Sequence, residues 1–110
     1  MCTALITGVS KGIGKAIALK MLDEGIKVIG ISKTSSDISH PNFSNILLDL
    51  TDLSLLENTI NTLKRTTAIN ILVNNAGVGY YGLHEELNKN KIHELICVNL
   101  EAPLLITNLL

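Results

Sequence analysis

The feature that most limits what this chain can become is Thr7-Gly8-Val9-Ser10-Lys11-Gly12-Ile13-Gly14, three glycines set between a short apolar run and an amphipathic segment. Ahead of it, Cys2-Thr3-Ala4-Leu5-Ile6 is short, largely apolar and partly β-branched, which suits a strand buried on both faces of a parallel sheet. Behind it, residues 13–24 carry Ile13, Ala16, Ile17, Leu19, Met21 and Leu22 at helical spacing, with Gly25 placed to end the helix in the left-handed conformation. Glycines between a strand and a helix let the backbone turn tightly and approach a ligand with no Cβ in the way. They also leave the first helical N–H groups pointing outward, with about half a positive charge from the aligned peptide dipoles. Such a turn is an anion site, and in a strand-turn-helix setting the expected anion is a pyrophosphate.

A chain of 110 residues supports one domain with a modest core. Its apolar content of 46% and net charge of -1 point to a globular chain rather than a disordered one. The lysines are scattered and form no basic run, so neither nucleic acid nor an anionic membrane is an expected partner. The first strand starts directly after Met1, which leaves no signal peptide to expect, and no run approaches the roughly 18 apolar residues of a membrane span. Cys2 and Cys97, without a second pair, read as small core residues in a reducing compartment, and a cytoplasmic location is expected.

Further along, Lys27–Ile31 reads as a second strand, Ser32 to Asn45 as a polar loop, and Ile46–Leu48 as a third strand closing on Asp49. Thr51 or Ser54 is placed to cap the next helix, and Ser54 with Glu57 has the spacing of a capping box. Ile69–Val73 reads as a fourth strand, followed by the turn-rich Asn74-Asn75-Ala76-Gly77-Val78-Gly79. From about Asn88 to Leu110 the chain reads as helical, with apolar residues round most of the circumference and therefore burial expected on several sides. Alternating strands and helices imply parallel strands joined by right-handed crossovers. The expectation is an α/β, Rossmann-like doubly wound sheet in order 3-2-1-4 with three helices, truncated after about four strands.

The glycine spacing alone is neither the G-x-G-x-x-G fingerprint nor a P-loop, and by itself it is compatible with a tight turn that binds nothing. Taken with Asn74-Asn75-Ala76-Gly77, Asp49 in Leu48-Asp49-Leu50-Thr51-Asp52, and Val98-Asn99-Leu100, it resembles the short-chain dehydrogenase/reductase family in its one-domain form. The resemblance implies a coenzyme site built from Gly8, Ser10, Lys11, Gly12, Ile13 and Gly14. It implies that Asp49, with the backbone of Leu50 beside it, faces the adenine amino group, although a helix-start carboxylate needs no such partner. Asn75, Ala76 and Gly77 would pass under the ribose and nicotinamide, with Asn74 tying neighbouring strands.

The end of the second strand, Ile31-Ser32-Lys33-Thr34, has no acid for a ribose 2′-OH. Lys33 is placed for a 2′-phosphate, Ser32 and Thr34 can donate to it, and Lys11 can add a second charge. Either lysine alone reads as a solvated surface cation; together, without an acid, they favour NADP(H) over NAD(H). Asn99 precedes Pro103 by four residues, and because proline has no N–H the Asn99 carbonyl loses its usual donor. That is either a simple kink or, as the resemblance implies, a catalytic carbonyl that holds a water in a proton relay. The family's acid/base is a tyrosine followed four positions on by lysine, with a serine at the carbonyl oxygen. Here Tyr80 and Tyr81 are followed by His84 and Glu85, so neither pair qualifies. His84-Glu85-Glu86-Leu87-Asn88 likewise lacks the second histidine of a zinc helix.

The chain thus reads as the N-terminal, coenzyme-binding half of a reductase acting on ketones or alcohols, inactive alone. The alternative is a non-catalytic nucleotide-binding or oligomerisation module. A homo-oligomer or a complementing C-terminal fragment is the expected partner, through the fourth strand and the last helix.

Overall fold

The computed structural model describes residues 2–78 and 87–110; the expectations for Gly79, Tyr80, Tyr81, His84, Glu85 and Glu86 lie outside the described residues. Four parallel strands form one sheet: β1 (Thr3–Thr7), β2 (Lys27–Ser32), β3 (Phe43–Leu47) and β4 (Ile71–Val73), in the order β3-β2-β1-β4. Helix α1 (Gly12–Asp23) follows β1, and α2 (Leu53–Thr66) follows β3. The last helical stretch runs as α3 (Lys89–Ile96), a π turn (Cys97–Glu101) and α4 (Ala102–Leu109).

Strand β1 is buried along its whole length and pairs with β2 on one side and β4 on the other. Its side chains alternate between two cores, as a pleated strand covered on both faces requires. Ala4 and Ile6 join Val28, Ala18 and Leu22 beneath α1, whereas Leu5 joins Ile29, Ile31, Leu56, Ile60, Ala102 and Ile106 beneath α2 and α4. Helices on both faces make this the doubly wound architecture. Helix α1 ends in a Schellman turn: Ile26 N–H donates to Met21 O, Gly25 N–H donates to Leu22 O, and Gly25 has φ 80°.

Three sequence expectations about these elements are corrected. Strand β3 starts at Phe43 rather than Ile46, because register with β2 runs from Val28↔Phe43 to Ser32↔Leu47; the polar Ser44 and Asn45 conceal an edge strand with little to bury. The cap of α2 is Asp52, whose side chain accepts from Leu55 N–H at 3.1 Å. Ser54 already lies within the first turn and cannot cap it, while Thr51 N–H and Oγ1 both donate to Asp49 Oδ1. Cys97 is a core residue as expected, but Cys2 is exposed at the start of the sheet.

The last helix is not buried on several sides. Val98, Ala102 and Ile106 face the core, while Ile92, Ile96, Leu100 and Leu104 form an outward stripe at four-residue spacing, 38% to 62% exposed. The apolar circumference of this helix exceeds what the sheet and α2 cover. No described helix is long and apolar enough to cross a membrane.

Candidate coenzyme site

The carboxyl ends of the strands open onto a cleft of about 530 Å³. Gly8, Ser10, Lys11 and Gly12 line it from the glycine turn, Ser32, Lys33 and Thr34 from the end of β2, Asp49 and Leu50 from the turn after β3, and Asn75 to Val78 from the loop after β4. A doubly wound sheet places its ligand crevice at this edge.

The glycine turn is shaped by backbone needs that only glycine meets. Gly8 and Gly12 have φ of 78° and 64°, the left-handed region. A Cβ on Gly14 would overlap the Gly8 carbonyl and the Asn75 amide, so the helix can sit this close to the turn only without a side chain there. The result is a helix start that, among the described residues, no side chain caps. Lys11 stands at the N-cap with extended backbone, φ -162°, and makes no side-chain cap, and the first turn holds no acidic residue. Helices α2 and α3 differ, since Asp52 and Asn88 accept from Leu55 and Lys91 N–H. The open donors and positive end of α1 therefore face the cleft, the chemistry that holds a phosphate.

Side chains knit the surrounding loops to this turn. Buried Thr7 Oγ1 accepts from Asn75 N–H at 3.1 Å and Ala76 N–H at 3.0 Å, and Asn75 Nδ2 donates to Gly8 O at 3.1 Å. It is Asn75, then, that ties the strand ends. Asn74, expected in that role, donates to Thr107 Oγ1 at 3.2 Å and fastens the loop to α4. On the other side, Ser36 Oγ donates to Val9 O at 2.9 Å, and Lys15 pairs with Asp37 at 2.7 Å, which holds the Asp37 carboxyl below its usual range.

Ser32 lines the cleft, but its hydroxyl donates inward to Thr34 O at 2.7 Å and accepts from Asn45 Nδ2 at 3.0 Å. In this arrangement its proton shapes the turn. Lys33, 73% exposed, stands 3.6 Å from Asp49 Oδ2. Asp49 is held below the usual carboxylate range by the Thr51 N–H, then by the Thr51 hydroxyl and the Lys33 charge.

Three expected residues stand outside the lining. The Ile13 side chain is 73% exposed and only its place in the helix start concerns the site; Gly14 acts by close packing; Asn99 acts through Val78. Asn99 Nδ2 donates to Val78 O and Asn99 Oδ1 accepts from Val78 N–H, both at 2.8 Å, so one amide clamps the loop after β4 at the cleft. The helix widens at this residue: Ala102 N–H reaches back five residues to Cys97 O, next to Pro103, which has no N–H to give. Sequence reasoning missed Ile31, Leu48, Val78, Glu94 and Val98 as lining residues. Ile31 and Leu48 carry only a strand signal, and Glu94 and Val98 reach the cleft from a helix that follows in sequence at a distance.

The pattern of a protein family described as short chain dehydrogenase matches residues 2–110. A 3-oxoacyl-[acyl-carrier-protein] reductase of Buchnera aphidicola (subsp. Schizaphis graminum) is 36% identical over 107 residues, which are 91% of this chain and 44% of that protein. A Beutenbergia cavernae structure described as an NAD(P)-dependent gluconate 5-dehydrogenase with NADP bound at low occupancy superposes with TM-score 0.85 at 28% identity, over 97% of this chain and 46% of that one. A Leptospira borgpetersenii short chain dehydrogenase with bound NAD+ shares the fold, with TM-score 0.90 at 23% identity over 98% of this chain and 44% of that one. The chain spans less than half the length of the curated relatives it matches. The family binds a nicotinamide dinucleotide, and the cleft fits one: an uncapped helix start for the pyrophosphate, beside a wall of Leu48, Leu50 and Val98. The chain belongs to the short-chain dehydrogenase/reductase family of oxidoreductases.

Proposed function

We propose that the chain is the coenzyme-binding half of an NADP(H)-dependent short-chain oxidoreductase, cytoplasmic, which reduces a ketone or oxidises the corresponding alcohol. The observation that carries this is the uncapped start of α1 opening onto the same cleft as Lys11 and Lys33. The N–H groups of Gly12 and its neighbours would hold the pyrophosphate, with Gly8 and Gly14 allowing the approach. Lys33 and Lys11 would receive the 2′-phosphate, with Thr34 beside them. Asp49 and Leu50 would face the adenine, and Asn75, Ala76 and Gly77 would lie under the ribose and nicotinamide.

The coenzyme held there would supply the hydride for reduction of a carbonyl group. The matching proton would come from the Tyr-x-x-x-Lys pair that the family uses, and neither tyrosine of this sequence is followed four positions on by lysine. The contribution of this chain to that step is Asn99. Its backbone carbonyl, in the widened turn before Pro103, would hold a relay water, while its side chain keeps Val78 in place. Titration of the purified 110-residue chain with NADPH and NADH, followed by an assay for ketone reduction, tests the proposal. Binding without turnover is the expected result; NADPH-dependent reduction by this chain alone would overturn the half-enzyme reading. A Tyr-x-x-x-Lys downstream in the reading frame would identify the other half.

A second reading, a non-catalytic nucleotide-binding or oligomerisation module, is favoured by one observation: the outward stripe of Ile92, Ile96, Leu100 and Leu104, with β4 at one edge of the sheet. A second copy or a complementing fragment would cover both. Light scattering that shows a stable monomer would count against it.

A further inference from the structure

We propose that Ser36, in the loop after β2, is a positioning residue for the coenzyme's pyrophosphate: its hydroxyl holds the Val9 carbonyl out of the cleft and so fixes the turn that presents the start of α1. This rests on the coenzyme reading above. A turn receives an anion well only if its N–H groups face the anion and its carbonyl oxygens do not. Here the carbonyls of Gly8 and Val9 are each held by a side chain from another loop. Asn75 Nδ2 donates to Gly8 O at 3.1 Å, and Ser36 Oγ donates to Val9 O at 2.9 Å. A trans peptide sets its C=O and N–H in opposite directions, so the bond that fixes Val9 O also turns the Ser10 N–H away from Ser36. Ser10, Lys11 and Gly12 line the cleft; Val9 is buried behind them, and Ser36 is not part of the lining.

Ser36 is itself held in place from the sheet. Its N–H donates to Asn45 Oδ1 at 2.7 Å, while Asn45 Nδ2 donates to Gly30 O at 3.2 Å and to Ser32 Oγ at 3.0 Å. The Val9 side chain packs where a Cβ on Gly30 would stand, so Val9 is gripped by β2 at its side chain and by Ser36 at its carbonyl. The next residue of the loop, Asp37, reaches Lys15 on α1 at 2.7 Å, a second and weaker tie because the carboxylate is 75% exposed. The turn cannot supply this order alone. Gly8 and Gly12, with φ of 78° and 64°, flank Val9, Ser10 and Lys11, and glycine loses more freedom on ordering than any other residue. Without the Ser36 hydroxyl the Val9–Ser10 peptide is free to rotate, and its carbonyl can swing toward a phosphate. The coenzyme must then order the turn as it binds. One hydrogen bond of this kind is equivalent to about 2- to 10-fold in affinity.

The test uses the fact that NADPH and NADH carry the same pyrophosphate, whereas adenosine 2′-monophosphate carries none. Dissociation constants are measured for both coenzymes by their fluorescence, and for the mononucleotide by displacement of NADPH, with the wild type, Ser36→Ala and Ser36→Thr. Ser36 is only half-buried, in a loop, so both replacements are mild. The expected result is that Ser36→Ala weakens NADPH and NADH by the same factor, about 2- to 10-fold, and leaves adenosine 2′-monophosphate unchanged. Ser36→Thr, which keeps the hydroxyl, should bind as the wild type does. If the mononucleotide weakens as well, Ser36 only braces the loop; if NADPH alone weakens, Ser36 serves the 2′ end. In either case, or if no affinity changes or Ser36→Thr binds no better than Ser36→Ala, the proposal fails while the coenzyme reading stands. A wild type that binds neither coenzyme overturns the coenzyme reading and this role of Ser36 with it.

Discussion

Helices α1 and α2 each begin at the carboxyl edge of the same sheet, yet their first turns are built in opposite ways. Asp52 closes the start of α2 by accepting from Leu55 N–H, and that start is finished within the protein. The start of α1 has Lys11 at its N-cap, no capping side chain and glycines at positions 8, 12 and 14, and it opens onto the cleft. A cap is worth about 1 kcal/mol. A chain that supplies one to α2 and withholds it from α1 gives up local stability where a ligand can supply the missing acceptor. The positive end of α1 is left to an anion.

The largest effect expected from disturbing this contrast comes from Gly14→Ala. The new Cβ would overlap the Gly8 carbonyl and the Asn75 amide, so the turn must open. Overpacking of this kind costs about 1–3 kcal/mol, and calorimetry should show a lower Tm together with loss of NADPH binding. Lys11→Asp should erase the contrast by capping α1. The variant is expected to gain up to about 1 kcal/mol in urea unfolding while losing coenzyme affinity, two changes of opposite sign. If stability and affinity fall together, the open helix start is not an anion site held at the expense of stability. Asp52→Ala is the converse: about 1 kcal/mol less stable in the same experiment, with coenzyme affinity unchanged.

The smallest effect is one of pH. Asp49 is held below the usual carboxylate range by Thr51 and Lys33. A lowered folded-state value means stability that is present above the ordinary value near 3.9 and is lost as pH falls through the lowered one. The wild type should therefore be slightly more stable than Asp49→Asn at neutral pH, and the gap should close in thermal melts below that range. Because Asp49 is 43% exposed, solvent screening keeps the gap small.

Much of this was legible in the sequence because it is carried by local signals. Gly8, Gly12 and Gly14 announce a turn that other residues cannot make, and the alternation of β-branched runs with helical periods leads to the order β3-β2-β1-β4. What stayed hidden depends on long-range partners. Thr7 Oγ1 accepts from Asn75 N–H across 68 residues, and Asn99 clamps Val78 across 21, pairings that no local pattern encodes. Ser32 looked like a free donor because its inward partners, Asn45 and the Thr34 carbonyl, are fixed only when the loop folds back. The cap of α2 is hidden for a smaller reason: Thr51, Asp52 and Ser54 are all good cap residues, and only the fold shows that Thr51 is taken up by Asp49 and that Ser54 falls inside the first turn.

The central claim is that the open start of α1 and its cleft bind a nicotinamide dinucleotide, NADP(H) ahead of NAD(H). A thermal shift of the purified chain with each coenzyme tests it most directly. A ligand present at about 100 times its Kd adds about 2.7 kcal/mol to stability. The account predicts a rise in Tm with both coenzymes, larger with NADPH at equal concentration; a flat response to both would contradict it.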